Sequence, residues 1–369
     1  MLIGVVKEIK DHEKRVALTP EGVGILVQHG HAVHIESGAG QGAGFTDREY
    51  ENAGAHTTST AGAWDTDIVL KVKEPQAVEF QHLKKNFLFT FLHLAGVPVE
   101  LTRALLSAGT TAVAYETVED QDHRLPLLAP MSAIAGNMAV MIGTYYLAMT
   151  HGGKGVQPGH ILEVRHGKIM VLGDGMVGQH AALTADGIGA NVYLFGKSRK
   201  KYQDLADVWL NEVMFVESNQ DNIRQHLGDA DLVIGAVLIP GARAPRLVTE
   251  DMVMQMQPGS VLVDVSIDQG GCMETSRPTT HSDPVYVKHG VTHYCVSNMP
   301  GAYPRTATQA LTHATLPYVL KLAQQGVNAF RDDSGFSKGV NTHDGFITCS
   351  AVAGAFGLTA QYRELTDIL

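Results

Sequence analysis

Short apolar segments alternate with longer stretches of helical character along most of the chain. A short apolar segment bounded by glycine, proline or polar residues is typical of a buried parallel strand. Segments of this kind lie at residues 1–6, 31–37, 67–72, 87–94, 111–116, 168–172, 191–195, 232–237, 260–265 and 293–297. This alternation predicts an α/β fold with two doubly wound Rossmann-like domains and a cleft between them.

Helix signals occupy the stretches between these segments. Thr19 followed by Pro20 is typical of an N-cap and the first helical position. The segment Met131–Thr150 is the most apolar of the chain, with Ser132 as a plausible cap, but it is too short and too polar for a membrane span. We interpret it as a buried helix that connects two domains. A length of 369 residues is consistent with two domains.

The segment Lys168–Gly196 predicts a dinucleotide-binding unit. A strand is followed by a G-x-G-x-x-G turn, a helix over Gln179–Gly187 and a second strand. In such a unit the first glycine makes the tight turn, the second allows close approach of a pyrophosphate, and the third allows the helix to pack on the strand. The turn residues are Gly173, Gly175, Met176, Val177 and Gly178.

The end of the second strand departs from the usual dinucleotide-binding pattern. An acidic residue is expected there to bind the ribose 2′-hydroxyl of NAD(H), but Gly196 occupies the position. It is followed by the cations Lys197, Arg199 and Lys201. Positive charges without a carboxylate favour a 2′-phosphate, so the cofactor is predicted to be NAD(H) or NADP(H), with a preference for NADP(H). The alternative is that these cations form a solvated turn.

Composition and charge exclude several classes of protein. A net charge of −10 without an extended basic stripe argues against a nucleic-acid-binding protein. The three scattered cysteines form neither a disulfide framework nor a zinc motif, which fits a reducing compartment. No signal-peptide pattern is present, so we expect a cytoplasmic protein without a membrane partner. The histidines at 29, 31 and 34 have no further ligands beside them, and no metal site is predicted.

Four polar residues are candidates for substrate chemistry because they follow predicted strands, where ligands bind in open α/β sheets. An arginine between a predicted strand and a helix start, such as Arg15, is well placed to hold a small carboxylate, although most arginines are simply exposed. Lys73 and His93 follow neighbouring strands and are expected to share one crevice, with lysine binding an anion and histidine transferring a proton. A hydrogen-bonded core histidine is the alternative for His93. Asp268 is the carboxylate best placed to face a cofactor.

Over nearly its whole length the sequence resembles alanine dehydrogenases. The segments that carry the resemblance include residues 13–20 (EKRVALTP), 70–75 (LKVKEP), 91–95 (FLHLA), 127–132 (LLAPMS), 231–238 (DLVIGAVL), 267–272 (IDQGGC), 276–280 (SRPTT) and 298–300 (NMP). The first of these is shared with transhydrogenases and saccharopine-type proteins, whereas KVKEP, FLHLA and IDQGGC together are more specific. The resemblance implies reversible conversion of L-alanine to pyruvate and ammonia with hydride transfer to a nicotinamide.

The resemblance also implies roles for individual residues. Arg15 and Lys73 are expected to bind the substrate carboxylate and keto oxygen together with Asn298, His93 to be the acid and base, and Asp268 to assist proton transfer. The cofactor is expected to contact Met131, Ser132, Val237, Leu238, Ile267, Arg277 and Met299, and at its adenosine end Lys201 and Ser218. The family topology implies a discontinuous substrate domain, 1–127 with 304–369, around a dinucleotide-binding domain, 128–303. A homohexamer is expected on the same ground.

Several positions depart from the family pattern. The segment Ser132–Asn137 lacks the usual glutamate and arginine, and Tyr303 and Ala307 stand where smaller and hydroxylic residues are usual. These departures leave two alternatives open, a dehydrogenase of another small amino acid and a non-catalytic paralogue that binds NADP(H). A third alternative, a soluble transhydrogenase component, does not require Lys73, His93 and Asp268 together.

Overall fold

A computed structural model of the protein describes residues 1–164, 167–203, 209–211, 213–239 and 243–369, without the side chain of Lys201. The described residues divide into two compact units, one formed by Met1–Met131 with Tyr303–Leu369 and the other by Ser132–Ala302. Each unit is built on one β-sheet with helices, so the predicted α/β class is confirmed. In the described part of the chain, no helix combines the length and the apolar character that crossing a bilayer requires.

The strands of the described residues, numbered in chain order, are β1 Leu2–Val5, β2 Ala32–Glu36, β3 His56–Thr58, β4 Ile68–Leu70, β5 Phe87–Thr90, β6 Thr111–Ala114, β7 Lys168–Leu172, β8 Asn191–Gly196, β9 Met214–Glu217, β10 Leu232–Gly235, β11 Val261–Asp264, β12 Val285–Lys288, β13 Val291–Tyr294, β14 Val340–His343 and β15 Phe346–Ile347. The α-helices are α1 Pro20–Gln28, α2 Asp47–Asn52, α3 Thr60–Trp64, α4 Val99–Ala108, α5 Ala129–Leu147, α6 Met176–Gly187, α7 Arg199–Gln203, α8 Gln220–Leu227, α9 Glu250–Val253, α10 Pro304–Gln325, α11 Asn328–Arg331, α12 Ser334–Ser337 and α13 Ser350–Phe356.

The sheet of the first unit has the order β15-β14-β6-β5-β4-β1-β2-β3. Strands β1 to β6 pair in parallel, while β14 and β15, from the C-terminal segment, add antiparallel strands at one edge. The neighbouring strands β1, β4 and β5 form the centre of this sheet. The carboxyl ends of these three strands therefore lie side by side along the same end of the sheet, which places the segments that follow them close together.

The sheet of the second unit has the order β12-β13-β11-β10-β7-β8-β9. Alternate residues of β7 enter different cores: Ile169 and Val171 pack with apolar residues of α5 and α6, and Met170 and Leu172 pack with those of α8 and α9. Both faces are thus covered, as in a doubly wound sheet. Strand β12 is antiparallel to β13 and was absent from the sequence prediction.

Several predicted element boundaries are wrong. Helix α6 begins at Met176 rather than at Gln179, because Gly175 is its N-cap. Helix α5 begins at Ala129, so Ser132 lies inside the helix and is not its cap. It is not buried throughout, since Met141 and Tyr145 are exposed. Strand β5 ends at Thr90, which places His93 in the loop after the strand. By contrast, Thr19 does cap α1, accepting a hydrogen bond from the Gly22 N–H.

Candidate functional site

Arg15, Lys73 and His93 follow three adjacent parallel strands of the first unit. Arg15 lies between β1 and α1, Lys73 follows β4, and His93 follows β5. Because β1 pairs with β4 and β4 with β5 in parallel, all three residues belong to the same edge of the sheet. The predicted shared location of Lys73 and His93 is therefore consistent with the strand order, and Arg15 joins it.

Arg15 is buried, with 2% of its surface exposed, and the interpretation as an ordinary surface arginine is excluded. Its Nε and Nη2 donate to Oε1 and Oε2 of Glu13 at 2.7 and 2.5 Å, a bidentate pair. Its Nη1 lies 3.1 Å from Sδ of Met131. Burial alone would raise the pKa of Glu13, but hydrogen bonding and charge from Arg15, together with the charge of Lys73, lower it to about 2. Lys73 therefore lies within electrostatic reach of this ion pair.

The loop that carries Arg15 is held by the C-terminal segment of the chain. The N–H of Val16 donates to Oγ1 of Thr308 at 3.1 Å, and the N–H of Thr19 donates to Oγ1 of Thr312 at 3.1 Å. Both threonines are buried in α10. The position of Arg15 thus depends on two residues almost 300 positions away, which the sequence pattern did not reveal.

The backbone of Lys73 is fixed on both sides. Its N–H donates to Oε1 of Glu8 at 3.4 Å, and its carbonyl accepts from Oγ1 of Thr90 at 2.9 Å. Two residues earlier in the chain, the buried ammonium of Lys71 pairs with Glu8 at 3.3 Å and with Glu79 at 2.9 Å. Burial would lower the pKa of Lys71, but the two carboxylates raise it, so this lysine is charged. Sequence reasoning missed this triad, for which the only signal was a lysine within an apolar strand segment.

His93 has an unusual backbone and a carboxylate partner. Its φ angle of 46° lies in the left-handed region, which is uncommon for a residue other than glycine. Glu116 accepts the N–H groups of Leu92 and His93 at 3.2 and 2.6 Å, and its Oε1 lies 3.7 Å from Nδ1 of His93. The ring stacks on Phe91 with 48% of the side chain exposed. This is not a core histidine, because part of the imidazole can reach a ligand.

The glycine-rich turn of the second unit meets the requirements of a dinucleotide. Gly173 has a φ of 123°, and a Cβ there would overlap the carbonyl oxygen of Ala236. A Cβ on Gly178 would overlap the carbonyl oxygen of Gly173, whereas one on Gly175 would meet no atom within 4 Å. Gly175 is the N-cap of the twelve-residue helix α6 and provides no side-chain cap. Open space beside an uncapped helix N-terminus fits a pyrophosphate.

The segment after β8 carries the predicted adenosine-end residues. Lys197 and Arg199 are exposed, and the N–H of Ser218 donates to the carbonyl of Gly196 at 2.9 Å. The side chain of Lys201 lies outside the described residues. Oδ2 of Asp174 accepts the N–H groups of Lys197 and Ser198 at 3.0 and 3.1 Å. Asp174 is a variable position of the G-x-G-x-x-G pattern, and its contact with this segment was not foreseen.

Asp268 and Asn298 follow the adjacent parallel strands β11 and β13. Asp268 is exposed, and its Oδ2 lies 3.5 Å from the backbone nitrogen of Asn298, a residue with a φ of 59°. The two are therefore neighbours at the edge of the sheet where β7 leads into the glycine-rich turn.

The remaining predicted cofactor residues of the second unit lie partly in loops that follow the strands and partly in helices α5 and α6. The N–H of Val237, after β10, donates to Oγ of Ser266 at 2.9 Å, and Leu238 beside it is exposed. The guanidinium of Arg277 lies 4.1 Å from the ring centroid of Tyr286. The other members are Ser132, half-buried in α5, the buried Ile267 and Met299, and Met176 and Val177 in the first turn of α6.

Comparison with known proteins agrees with this arrangement. The family described as alanine dehydrogenase/PNT matches residues 4–135 with its N-terminal domain and residues 139–350 with its C-terminal domain. Alanine dehydrogenase from Halomonas elongata is 50% identical, with 100% of both chains covered, and that from Staphylococcus haemolyticus is 48% identical, with 100% of this chain and 99% of the relative covered.

Solved structures give the same result. An L-alanine dehydrogenase structure, 48% identical, superposes with a TM-score of 0.93 and covers 97% of this chain and 99% of its own. A transhydrogenase from Sinorhizobium meliloti, 27% identical, has a TM-score of 0.82 over 95% of this chain and 100% of its own. With both domains of the family and full-length relatives at this identity, the chain belongs to the alanine dehydrogenase/PNT family.

Proposed function

We propose that the protein is an NAD(P)-dependent alanine dehydrogenase, which interconverts L-alanine with pyruvate and ammonia. The observation that carries the proposal is that Arg15, Lys73 and His93 follow three adjacent parallel strands of one sheet. Two cations and one accessible imidazole at a single sheet edge suit a small 2-keto acid, whose carboxylate and keto oxygen need separate partners. The full-length relatives are named for the same activity.

The proposed substrate domain is the unit made of both chain ends, predicted as 1–127 with 304–369. Lys73 and Arg15 bind the anion, and the Glu13 partner keeps the guanidinium of Arg15 in a fixed orientation. His93 donates a proton to the substrate oxygen when water leaves and accepts one in the reverse direction. Its Nδ1 faces Glu116, which leaves the other ring nitrogen for this exchange.

The proposed dinucleotide-binding domain is the intervening segment, predicted as 128–303. The nicotinamide supplies the hydride donor or acceptor when it is bound. Gly173, Gly175 and Gly178, with Met176 and Val177, hold the pyrophosphate at the N-terminus of α6. Asp268 assists proton transfer at the substrate nitrogen and Asn298 binds the substrate. The remaining predicted cofactor residues are Met131, Ser132, Val237, Leu238, Ile267, Arg277 and Met299.

The residues around Gly196 bear on the choice between NAD(H) and NADP(H). The absence of an acid at Gly196 and the cations Lys197, Arg199 and Lys201 support NADP(H), as predicted from the sequence. The carboxylate of Asp174 beside this segment opposes it. The NADP(H) preference therefore stays a prediction with one observation against it.

The homohexamer stays a prediction that rests on the family resemblance, and the cytoplasmic location stays one that rests on the cysteine pattern and the N-terminal sequence. The exposed apolar side chains of Met141, Tyr145 and Met149 support an oligomer.

Among competing functions, another small amino acid as substrate is the strongest alternative. Tyr303, 43% exposed at the N-cap of α10, is the position that favours it.

The proposal is tested by following the absorbance of the reduced nicotinamide with pyruvate and ammonium. We expect turnover in the wild type and its loss in Lys73→Ala and His93→Ala, with dinucleotide binding retained. Lys84→Ala and His123→Ala are matched controls, because both side chains are exposed and pair with the carboxylates of Asp65 and Glu119, away from the proposed site. Undiminished turnover in both site variants would contradict the mechanism. Turnover with a different keto acid alone would move the assignment to the alternative substrate.

A further inference from the structure

A carboxylate occupies the space where the side chain of residue 196 would lie. A Cβ added to Gly196 would stand 2.5 Å from Oδ2 of Asp174 and 2.7 Å from its Cβ. The glycine is therefore the residue that makes room for Asp174 at the end of β8. The acid that is missing from the strand end is replaced in space by an acid from the glycine-rich turn, 22 positions earlier.

Asp174 also uses the hydrogen-bond donors that an anion would need. Its Oδ2 accepts from the N–H groups of Lys197 and Ser198, the first two residues after β8. Backbone N–H groups of this kind, next to exposed cations, form a favourable site for a phosphate. Here the carboxylate of the protein itself occupies them, so a 2′-phosphate would have to displace Asp174 and approach its negative charge.

The second oxygen of the carboxylate remains available. Oδ1 of Asp174 has no hydrogen-bond partner among the described residues, and the side chain is half-buried. An ionised carboxylate oxygen accepts hydrogen bonds and cannot donate. It therefore suits the hydroxyls of an unmodified ribose and disfavours a phosphorylated one.

We propose that Asp174 is the residue that selects the adenosine ribose of the cofactor, and that it gives NAD(H) preference over NADP(H). The inference rests on the proposed dinucleotide binding by the turn at Gly173–Gly178. It reverses the preference expected from Gly196 alone, because the charge removed from the strand end is restored from a neighbouring loop. The backbone N–H groups of Lys197 and Ser198 then face a carboxylate of the protein itself, which leaves them unavailable to a 2′-phosphate.

Equilibrium binding of NADH and NADPH, measured by fluorescence titration without substrate, tests this proposal. We expect the wild type to bind NADH more tightly than NADPH by at least about tenfold. Asp174→Ala should reduce this ratio by about tenfold or more, mainly by tightening NADPH binding to the freed N–H groups and cations. Asp221→Ala, which removes an exposed acid elsewhere in the same unit, is the control and should leave the ratio unchanged.

A second variant relocates the charge. In Asp174→Ala/Gly196→Asp the carboxylate is supplied from the strand end, and we expect the preference for NADH to return. If Asp174→Ala fails to fold, Asp174→Asn keeps the hydrogen bonds to Lys197 and Ser198 without the charge, and it should show a smaller shift toward NADPH. A wild type that binds NADPH as tightly as NADH, or folded Asp174 variants with an unchanged ratio, would overturn the assignment.

These results are independent of the proposed reaction. Discrimination between NADH and NADPH without turnover of pyruvate would refute the substrate assignment and retain the role of Asp174. Turnover of pyruvate with no effect of Asp174 on cofactor preference would retain the substrate assignment and refute the role of Asp174. Failure of the protein to bind either dinucleotide would overturn both.

Discussion

The carboxylate of Glu116 accepts the backbone N–H of His93 at 2.6 Å and lies 3.7 Å from Nδ1 of the same residue. One side chain therefore holds both the backbone and the imidazole of the proposed acid and base. The left-handed backbone of His93 costs on the order of 1 kcal/mol for a residue with a side chain. The hydrogen bonds from Leu92 and His93 to Glu116 offset this cost. We infer that Glu116 is a positioning residue.

Glu116→Ala should lower kcat on the order of 10- to 100-fold with little change in KM, because a small displacement of a catalytic group is costly. Glu116→Gln keeps an acceptor oxygen for one of the two N–H groups and should retain more activity than Glu116→Ala. Binding of NADH should be unaffected in both variants, since the glycine-rich turn belongs to the other unit. Steady-state kinetics and a binding titration check these outcomes. A loss of NADH binding in step with kcat would instead indicate general unfolding.

Two glycines of the same turn should respond differently to alanine. Gly178→Ala places a methyl group against the carbonyl of Gly173 and should destabilise the second unit by roughly 1–3 kcal/mol. Gly175→Ala meets no protein atom within 4 Å, so stability should stay near that of the wild type. Its methyl group enters the space proposed for the pyrophosphate, and NADH binding should weaken by about tenfold or more. Thermal unfolding and NADH titration of both variants separate the two effects. Equal stability of the pair would contradict this assignment.

The second unit should lose stability on mild acidification because of His293. Burial lowers the pKa of this histidine from 6.5 to about 4, although the hydrogen bond to the Val291 carbonyl acts in the opposite direction. Below pH 6.5 the unfolded chain takes up a proton that the folded protein does not accept until about pH 4. The contribution of His293 to the free energy of unfolding is therefore fully present above pH 6.5. About 3 kcal/mol of this free energy is lost between pH 6.5 and 4.

Urea unfolding at several pH values measures this loss. The chain has two tryptophans, Trp64 in the first unit and Trp209 in the second, so a Trp64→Phe background reports the second unit alone. Introducing His293→Gln should flatten the pH dependence between 6.5 and 4. The exposed His123 provides the matched control, since His123→Gln should preserve that dependence. A dependence that persists in His293→Gln would assign it to another group.

Local patterns predicted much of the fold. The strand, glycine turn and second strand of Lys168–Gly196 were recognised because each signal lies within a few residues of the next. Thr19 and Pro20 marked the start of α1 for the same reason. The predicted starts of α5 and α6, at Met131 and Gln179, lie after the observed starts at Ala129 and Met176. The prediction placed Pro130 and Gly178 before these helices, but both residues are also compatible with a position in the first turn of a helix.

Contacts between distant segments escaped prediction. Nothing near Gly196 in the sequence indicates that Asp174 fills its space, since the contact exists only after β7 and β8 pair. The burial of Lys71 with Glu8 and Glu79 similarly needs three segments brought together. Candidate residues were therefore found where chemistry is local to a loop, whereas their supporting partners required the fold.

The hydrogen bonds from Val16 and Thr19 to α10 have a consequence for synthesis on the ribosome. The loop of Arg15 is synthesised before the second unit, whereas Thr308 and Thr312 are synthesised after it. The contiguous unit Ser132–Ala302 can form while the chain is still growing, but the Arg15 loop must wait for the helix that anchors it. A growing chain is therefore expected to fold the unit proposed to bind the dinucleotide before the loop proposed to bind the substrate anion is held in place.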